Sequence, residues 1–168
     1  MSKGGLASLD TVLYLVRVAM AKSNNNKFLI DGYPRELAQA FAFEKQVGAC
    51  TFVLYFDVPD EVMIKRCISR GISSGRSDDN EVSIKNRVKV YHDQSRPAVD
   101  HYSKLDKVKK VTLLDSPEIV YKEVRNFFIS EPSFIVLPEI NFKPSSDCKI
   151  VFVLGGPGND FITFSTSK

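Results

Sequence analysis

The sequence predicts an α/β fold in three layers, a parallel sheet with helices on both faces. Two observations carry that prediction. Short apolar runs at 27–30, 51–56, 108–114 and 149–154 alternate with longer segments of helical periodicity. Two of those runs close abruptly on glycine and proline, at Asp31-Gly32-Tyr33-Pro34 and at Gly155-Gly156-Pro157-Gly158, as buried strands do at a sheet edge.

Taken in order, Leu9 to Lys22 reads as a helix, because Leu9, Val12, Leu13, Val16 and Met20 share one face. Ser8 suits its N-cap and Asp10 its positive end. The Ser23-Asn24-Asn25-Asn26 stretch ends it. The first strand, Lys27 to Ile30, leads to a helix over Glu36 to Val47 and a second strand over Thr51 to Phe56. Pro59-Asp60 opens a helix through Arg70, and the polar, Gly/Ser-rich stretch Gly71 to Asn80 reads as a loop. A long helix over Glu81 to Tyr102 is expected to kink before Pro97. The third strand is Val108 to Leu114. Ser116-Pro117-Glu118 then has the residues of a helix start, and that helix runs to about Phe128. Prolines 132, 138 and 144 mark a linker over Ile129 to Asp147, and Lys149 to Leu154 is a fourth strand.

The bulk properties exclude more than they assign. With 168 residues, 43% of them hydrophobic, the chain can bury a real core. Net charge is 23 − 20 = +3, too mild for a polyanion binder, and no aromatic stacking motif points to nucleic acid. Cys50, Cys67 and Cys148 match neither a disulfide framework nor a zinc site and read as reduced thiols. No signal pattern opens the chain and no apolar run is long enough for a bilayer, so the expectation is a soluble cytoplasmic protein without a membrane partner.

Three motifs carry chemistry. In Asp31-Gly32-Tyr33-Pro34-Arg35, with Gln39 four residues on, an acid can hold magnesium through water and an Arg can grip a phosphate. Chemistry alone leaves this segment between a ligand site and a tight turn with a surface salt bridge. Arg66 and Arg70 share a helix face, Arg76 follows in the Gly/Ser loop, and Arg87 lies one helix later. Such a set suits phosphoryl transfer, which needs multidentate positive groups and excluded water; a solvated charged helix face is the plainer alternative. The third motif, Gly155-Gly156-Pro157-Gly158 after a strand, begins like a phosphate-cradling loop. Asn159 and Asp160 follow where a Gly-Lys-Ser/Thr is needed, so the loop is degenerate. His92 and His101 fit no metal or relay spacing and read as structural or solvated. Asp78 and Asp79 read either as metal-adjacent acids or as the cap of the next helix.

Together these residues resemble the short-lid adenylate kinases, a family of nucleoside monophosphate kinases. The resemblance rests on Phe28 to Arg35, on Arg66 to Arg87 with Arg70-Gly71 and Ser74 to Asn80 inside it, and on Gly5-Leu6-Ala7 before the first helix. It covers residues 3 to 128. It implies transfer of phosphoryl from ATP to AMP with Mg2+, giving two ADP. It also implies that Arg35 holds the monophosphate's phosphate, that Gln39 meets the adenine edge, and that Leu6, Ala7 and Gly32 line the base pocket. Arg70, Arg76 and Arg87 would serve catalysis, Arg66 and Arg70 would contact ATP, and Asp31 would orient magnesium-bound water. A UMP/CMP kinase is the nearest alternative, and a non-catalytic nucleotide-binding module the next.

The departures shape the expected organisation. A family domain opens with a strand, a complete P-loop and the helix behind it, and none of these precedes Met1. Asp115-Ser116 stands where the family usually has a glycine. Residues 1–128 are therefore read as a partial, P-loop nucleoside monophosphate kinase-like domain, 129–148 as a linker, and 149–168 as the truncated start of a second, adjacent kinase domain. The isolated chain is expected to show negligible phosphoryl transfer. The order of the pieces also raises the expectation that Ile150 to Leu154 folds back through the linker into the vacant sheet position, as in a circular permutant.

Overall fold

The structure, a computed structural model, describes residues 9–23, 25–74, 80–130 and 149–158. Its elements in chain order are α1 (Leu9–Lys22), β1 (Lys27–Asp31), α2 (Leu37–Gln46), β2 (Phe52–Asp57), α3 (Asp60–Ser74) and α4 (Glu81–Val90). A π-helical turn (Tyr91–Ser95) leads into α5 (Arg96–Ser103), followed by β3 (Val108–Thr112), α6 (Pro117–Ser130) and β4 (Lys149–Gly155).

The strands form one all-parallel sheet in the order β1-β4-β2-β3. Composition explains that order. A parallel strand in the middle of a sheet is covered on both faces and tolerates an unbroken apolar run. Ile150 to Leu154 and Phe52 to Phe56 are such runs, and every residue in them is buried. The strands β1 and β3 carry Lys27 and Asp31, and Lys109 and Lys110, and are buried only in part. Polar side chains of this kind blunt an edge against further pairing. The last strand in sequence thus lies between the first and second. Leu29 pairs with Val151 and Asp31 with Val153 on one side, while Val53 pairs with Phe152 and Phe56 with Gly155 on the other. The expected fold-back is what the chain does.

Helices cover both faces. The Phe152 ring meets Phe43 of α2 at 5.1 Å and Tyr102 of α5 at 5.9 Å. On the other face Phe52 meets Phe128 of α6 at 5.5 Å. Successive strand residues alternate faces, so neighbouring positions in register put Phe52 and Phe152 on opposite sides.

The strand ends and both ends of α2 fall within two residues of the sequence reading, and three further differences, all in helices, have a local cause. The helix α3 runs through Gly71 to Ser74, into the expected loop. A glycine costs a helix about 1 kcal/mol, but each residue added to a nucleated helix also adds a hydrogen bond. The helix α6 continues to Ser130, two residues into the expected linker, and its last turn is held by the Ser130 hydroxyl donating to the Asn126 carbonyl at 2.7 Å. The helix expected over 81–102 is interrupted by the π-turn, in which the Arg96 N–H donates to the Tyr91 carbonyl five residues back. Pro97 has no N–H and its ring crowds the carbonyl four residues earlier, so the backbone widens just before it. Asn80 caps α4, its side-chain oxygen accepting from the Ser83 N–H at 3.0 Å.

Candidate functional site

All four strands end along one edge of the sheet, where open parallel sheets bind ligands. The glycine segment leaves β4 at that edge, between the Asp31 end of β1 and the Asp57 end of β2. It lies against α3. A Cβ at Gly156 would sit 1.9 Å from Met63 Sδ, so only glycine fits there without moving the methionine. Two residues on, a Cβ at Gly158 would meet the Met63 carbonyl at 3.1 Å and Arg66 Cβ at 3.4 Å. The fold therefore brings the glycine segment and Arg66 side by side, although they are far apart in sequence.

On the other flank, β1 turns at Gly32, whose φ of +68° suits a residue without a side chain. The Gly32 N–H donates to the Val153 carbonyl at 3.3 Å, tying this turn to β4. Arg35 is exposed but held at three points. Its Nε donates to the Gly32 carbonyl at 3.1 Å. Its backbone N–H donates to Gln39 Oε1 at 2.9 Å, and its carbonyl accepts from the Ser95 hydroxyl at 2.8 Å. Gln39, only 8% exposed, spends its amide inside this turn, because its Nε2 also donates to Glu36 Oε1 at 3.1 Å. The Tyr33 hydroxyl donates to the Gln39 carbonyl, and burial, with help from Glu36, pushes the Tyr33 phenol up to about 12.

Arg66 reaches the other way. Its Nη2 donates to the Leu113 carbonyl at 2.6 Å, joining α3 to the segment after β3. Arg70 lies one turn further along α3, with Nη2 at 3.9 Å from the buried Cys67 sulfur. Arg87 is half-buried on α4. Asp31 is exposed at the end of β1, in register with Val153, two residues before Gly155. Leu6, Ala7, Arg76, Asp78 and Asp79 lie outside the described residues. His92 pairs with Asp60 at 2.8 Å, both side chains being exposed.

The sequence reading missed a polar cluster at the ends of β2 and β3. The Tyr55 hydroxyl donates to Asp57 Oδ1 at 2.9 Å and shares a hydrogen bond with the Tyr91 hydroxyl at 2.7 Å. Arg96 donates to Tyr55 and lies 5.5 Å from the centre of its ring. Lys110 pairs with Asp57 and, with Tyr55, holds that carboxyl below the usual range. Burial, followed by the bond to Tyr91, pushes the Tyr55 phenol up. Tyr55, Asp57, Tyr91 and Arg96 line a cleft of about 400 Å3 that also takes in Asp60 and His92. The available signal was Tyr55-Phe56-Asp57, two polar groups at period two where a buried strand ends.

Among the described residues, no group of three or more His, Cys, Asp or Glu is arranged to hold a metal ion. Magnesium bound with a nucleotide needs no such cage, since it keeps several waters and takes one or two carboxylates plus phosphate oxygens. Asp31 is of the right chemistry for that arrangement. Among the described residues no helix is long and apolar enough to cross a membrane.

The profile of one protein family, Adenylate kinase, matches residues 1–107. The chain belongs to the adenylate kinase family. Human adenylate kinase isoenzyme 1 is 45% identical over 126 residues, which is 74% of this chain and 65% of that protein. The uridylate kinase of Saccharomyces cerevisiae is 39% identical over 127 residues, 74% of this chain and 62% of that protein. Adenylate kinase 1 of Schistosoma mansoni is 40% identical over 128 residues, 75% of this chain and 65% of that protein. The matched region thus spans just under two thirds of these adenylate kinase family relatives.

Proposed function

We propose that this chain is an adenylate kinase-type nucleotide-binding domain. It takes AMP at the Arg35 turn and ATP with Mg2+ beside Arg66 and Arg70, and transfers phosphoryl between them slowly or not at all. The observation that carries this reading is the strand order. With β4 between β1 and β2, the glycine segment stands between the Arg35 turn on one side and Arg66 on the other.

In the full reaction, an AMP phosphate oxygen attacks the ATP γ-phosphorus, and the bond from that phosphorus to the β,γ-bridging oxygen breaks. The electron pair leaves with ADP. The protein's work is to hold the two phosphate chains in line and to neutralise charge on the moving group. Arg35 suits the acceptor phosphate, since its Nε is already aimed by Gly32 and its guanidinium is exposed. Arg70, Arg76 and Arg87 are the cations for the transferring group. Asp31 would hold a nucleotide-borne magnesium ion through water, and that ion would supply charge neutralisation on the phosphates. Leu6, Ala7 and Gly32 would border the base. The glycine segment lacks the lysine that would reach the phosphates, with Asn159 and Asp160 following it. Loss of one preorganised donor typically costs about 10²–10³ in rate. We read residues 149–168 as the opening of a second kinase domain, whose strand Lys149–Gly155 joins the sheet of β1, β2 and β3, and 129–148 as linker.

A second reading, a UMP/CMP kinase, draws on one observation: the Gln39 amide already bonds Arg35 and Glu36 in this conformation, which leaves only one N–H and one lone pair of it for a base. Calorimetric titration with AMP, UMP, CMP, ATP and diadenosine pentaphosphate, alongside a coupled ADP assay, tests both. The expected result is AMP and ATP binding, lost on the AMP side in Arg35→Ala and on the ATP side in Arg66→Ala, with negligible turnover. Tighter UMP or CMP binding would move the assignment to the second reading. Steady turnover abolished by Arg70→Ala would overturn the claim of weak catalysis, and no nucleotide binding at all would overturn the function.

A further inference from the structure

We propose that Ser95 is a positioning residue for Arg35, and that the π-turn is what delivers it. The inference rests on the reading of Arg35 as the phosphate ligand. Residues 91–95 touch three parts of the site. The Tyr91 hydroxyl bonds Tyr55, and the Tyr91 ring edge lies 3.5 Å from where a Gly156 Cβ would be. His92 bonds Asp60 at the start of α3. Ser95 donates to the Arg35 carbonyl.

That last bond is a contact across sixty positions of sequence, from a side chain to the backbone of an exposed turn. Gln39 fixes the N–H of Arg35 and Ser95 fixes its carbonyl, so the two peptide planes flanking the Arg35 Cα are both anchored. With the backbone fixed, the Nε bond to Gly32 leaves the guanidinium little freedom. A guanidinium held this way loses less entropy when it grips a phosphate.

The π-turn sets which residue faces Arg35. An α-helix advances about 100° per residue. Without the extra residue of the wide turn, α5 would rotate by about that angle relative to α4, and Ser95 would swing off the Arg35 carbonyl. A wide turn at a position already disturbed by Pro97 therefore has a use.

The test compares Ser95→Thr with Ser95→Val, side chains of the same shape that differ in the hydroxyl, with Ser95→Ala as a further variant. Calorimetry on the full chain gives Kd for AMP and for ATP. The expected result is AMP affinity near wild type in Ser95→Thr and weaker by about two- to tenfold in Ser95→Val and Ser95→Ala, the worth of one hydrogen bond, with ATP affinity unchanged. Equal AMP affinity in Ser95→Thr and Ser95→Val would overturn the proposal. So would a parallel loss of ATP affinity, which marks general loosening. The ligand-free chain gives an independent readout, the solvent exchange of the Arg35 Nε proton by NMR. If wild type binds no AMP, the phosphate role of Arg35 fails. Faster exchange in Ser95→Val than in Ser95→Thr would then still uphold the positioning, and equal exchange would overturn it.

Discussion

Phe152→Ala tests whether the chain's last strand is truly the middle of the sheet. Phe152 is 0% exposed and packs edge-to-face against Phe43 and Tyr102, one ring from each of two helices. Truncating a buried Phe to Ala costs about 3–5 kcal/mol, from lost transfer free energy and the cavity left behind. A domain of this size has a net stability of about 5–15 kcal/mol, so a large part of it would go. With a urea m-value of about 2 kcal/mol/M, the midpoint should fall by about 2 M. The sequence holds no tryptophan, so unfolding is followed by far-UV circular dichroism and tyrosine emission. Ile129→Ala, on α6 and 54% exposed, is the control and should cost less than about 0.5 kcal/mol. A Phe152→Ala midpoint no lower than that of Ile129→Ala would mean that residues 149–155 are not in the sheet, and the reasoning about the site would fall with them.

Gly156→Ala should cost about 1–3 kcal/mol by driving Met63 off its rotamer, and Met63→Ala in the same chain should recover part of that loss; strictly additive unfolding free energies would refute the contact. Asp57→Asn should destabilise by about 1 kcal/mol at pH 7, the worth of hydrogen bonds from Lys110 and Tyr55 on a partly exposed group. Because the folded carboxyl titrates below its ordinary 3.8, its stabilising contribution is present above that value and disappears as pH falls through the folded pKa. Denaturation curves of wild type and Asp57→Asn should therefore converge in acid, and a gap that persists at pH 2 would refute the pairing. Burial pushes the Cys50 thiol up to about 12, so iodoacetamide at pH 8 should label it only as fast as the chain unfolds; rapid labelling seen by peptide mass mapping would contradict its place in the core.

Most elements were legible in the sequence because burial leaves a periodic trace. The bounds of α1 follow directly from its apolar stripe, and the four strands from runs that stop at glycine, proline or charge. The sheet order was legible in part, since only a central strand can be apolar at every position from Ile150 to Leu154. What the sequence hid were properties of geometry. Nothing in Tyr91-His92-Asp93-Gln94-Ser95 marks a π-turn except the proline that follows. Tyr55, Asp57, Arg96 and Lys110 come from three separate stretches and form a cluster only once β2 and β3 pair in register. Within the site, Gly32 and Arg35 stood out because glycine and charge just after a strand end are unusual, and Arg66 because it shares a helix face with Arg70. Ser95 did not, since a lone serine in a polar helix has many uses. Gln39 was noticed for its side chain, yet that side chain is committed to the Arg35 backbone and to Glu36, a partnership that depends on how tightly the turn closes.

The sheet order also makes one thermodynamic unit of the strand and the site. In this sheet β1 meets β2 only through β4. The Arg35 turn hangs from β1 and the Arg66 helix follows β2, so the distance between the two is set by the strand between them. Neighbouring strands lie about 4.8 Å apart, so without β4 the flanking strands would face a gap of about 10 Å, wide enough for water. Exposed N–H and C=O groups would line both sides of that gap, and buried residues such as Leu54 would lose their cover. The chain could close such a gap only by pairing β1 directly with β2, which would shorten the span between the two arginines by one strand. A nucleotide pair that fits the open span would not fit the closed one. Any condition that frees residues 149–155 from the sheet should therefore abolish binding of a bisubstrate analogue before it abolishes the individual helices. Binding should in turn protect the amides of β4 more than those of α1, since binding selects for the state in which the strand is in place.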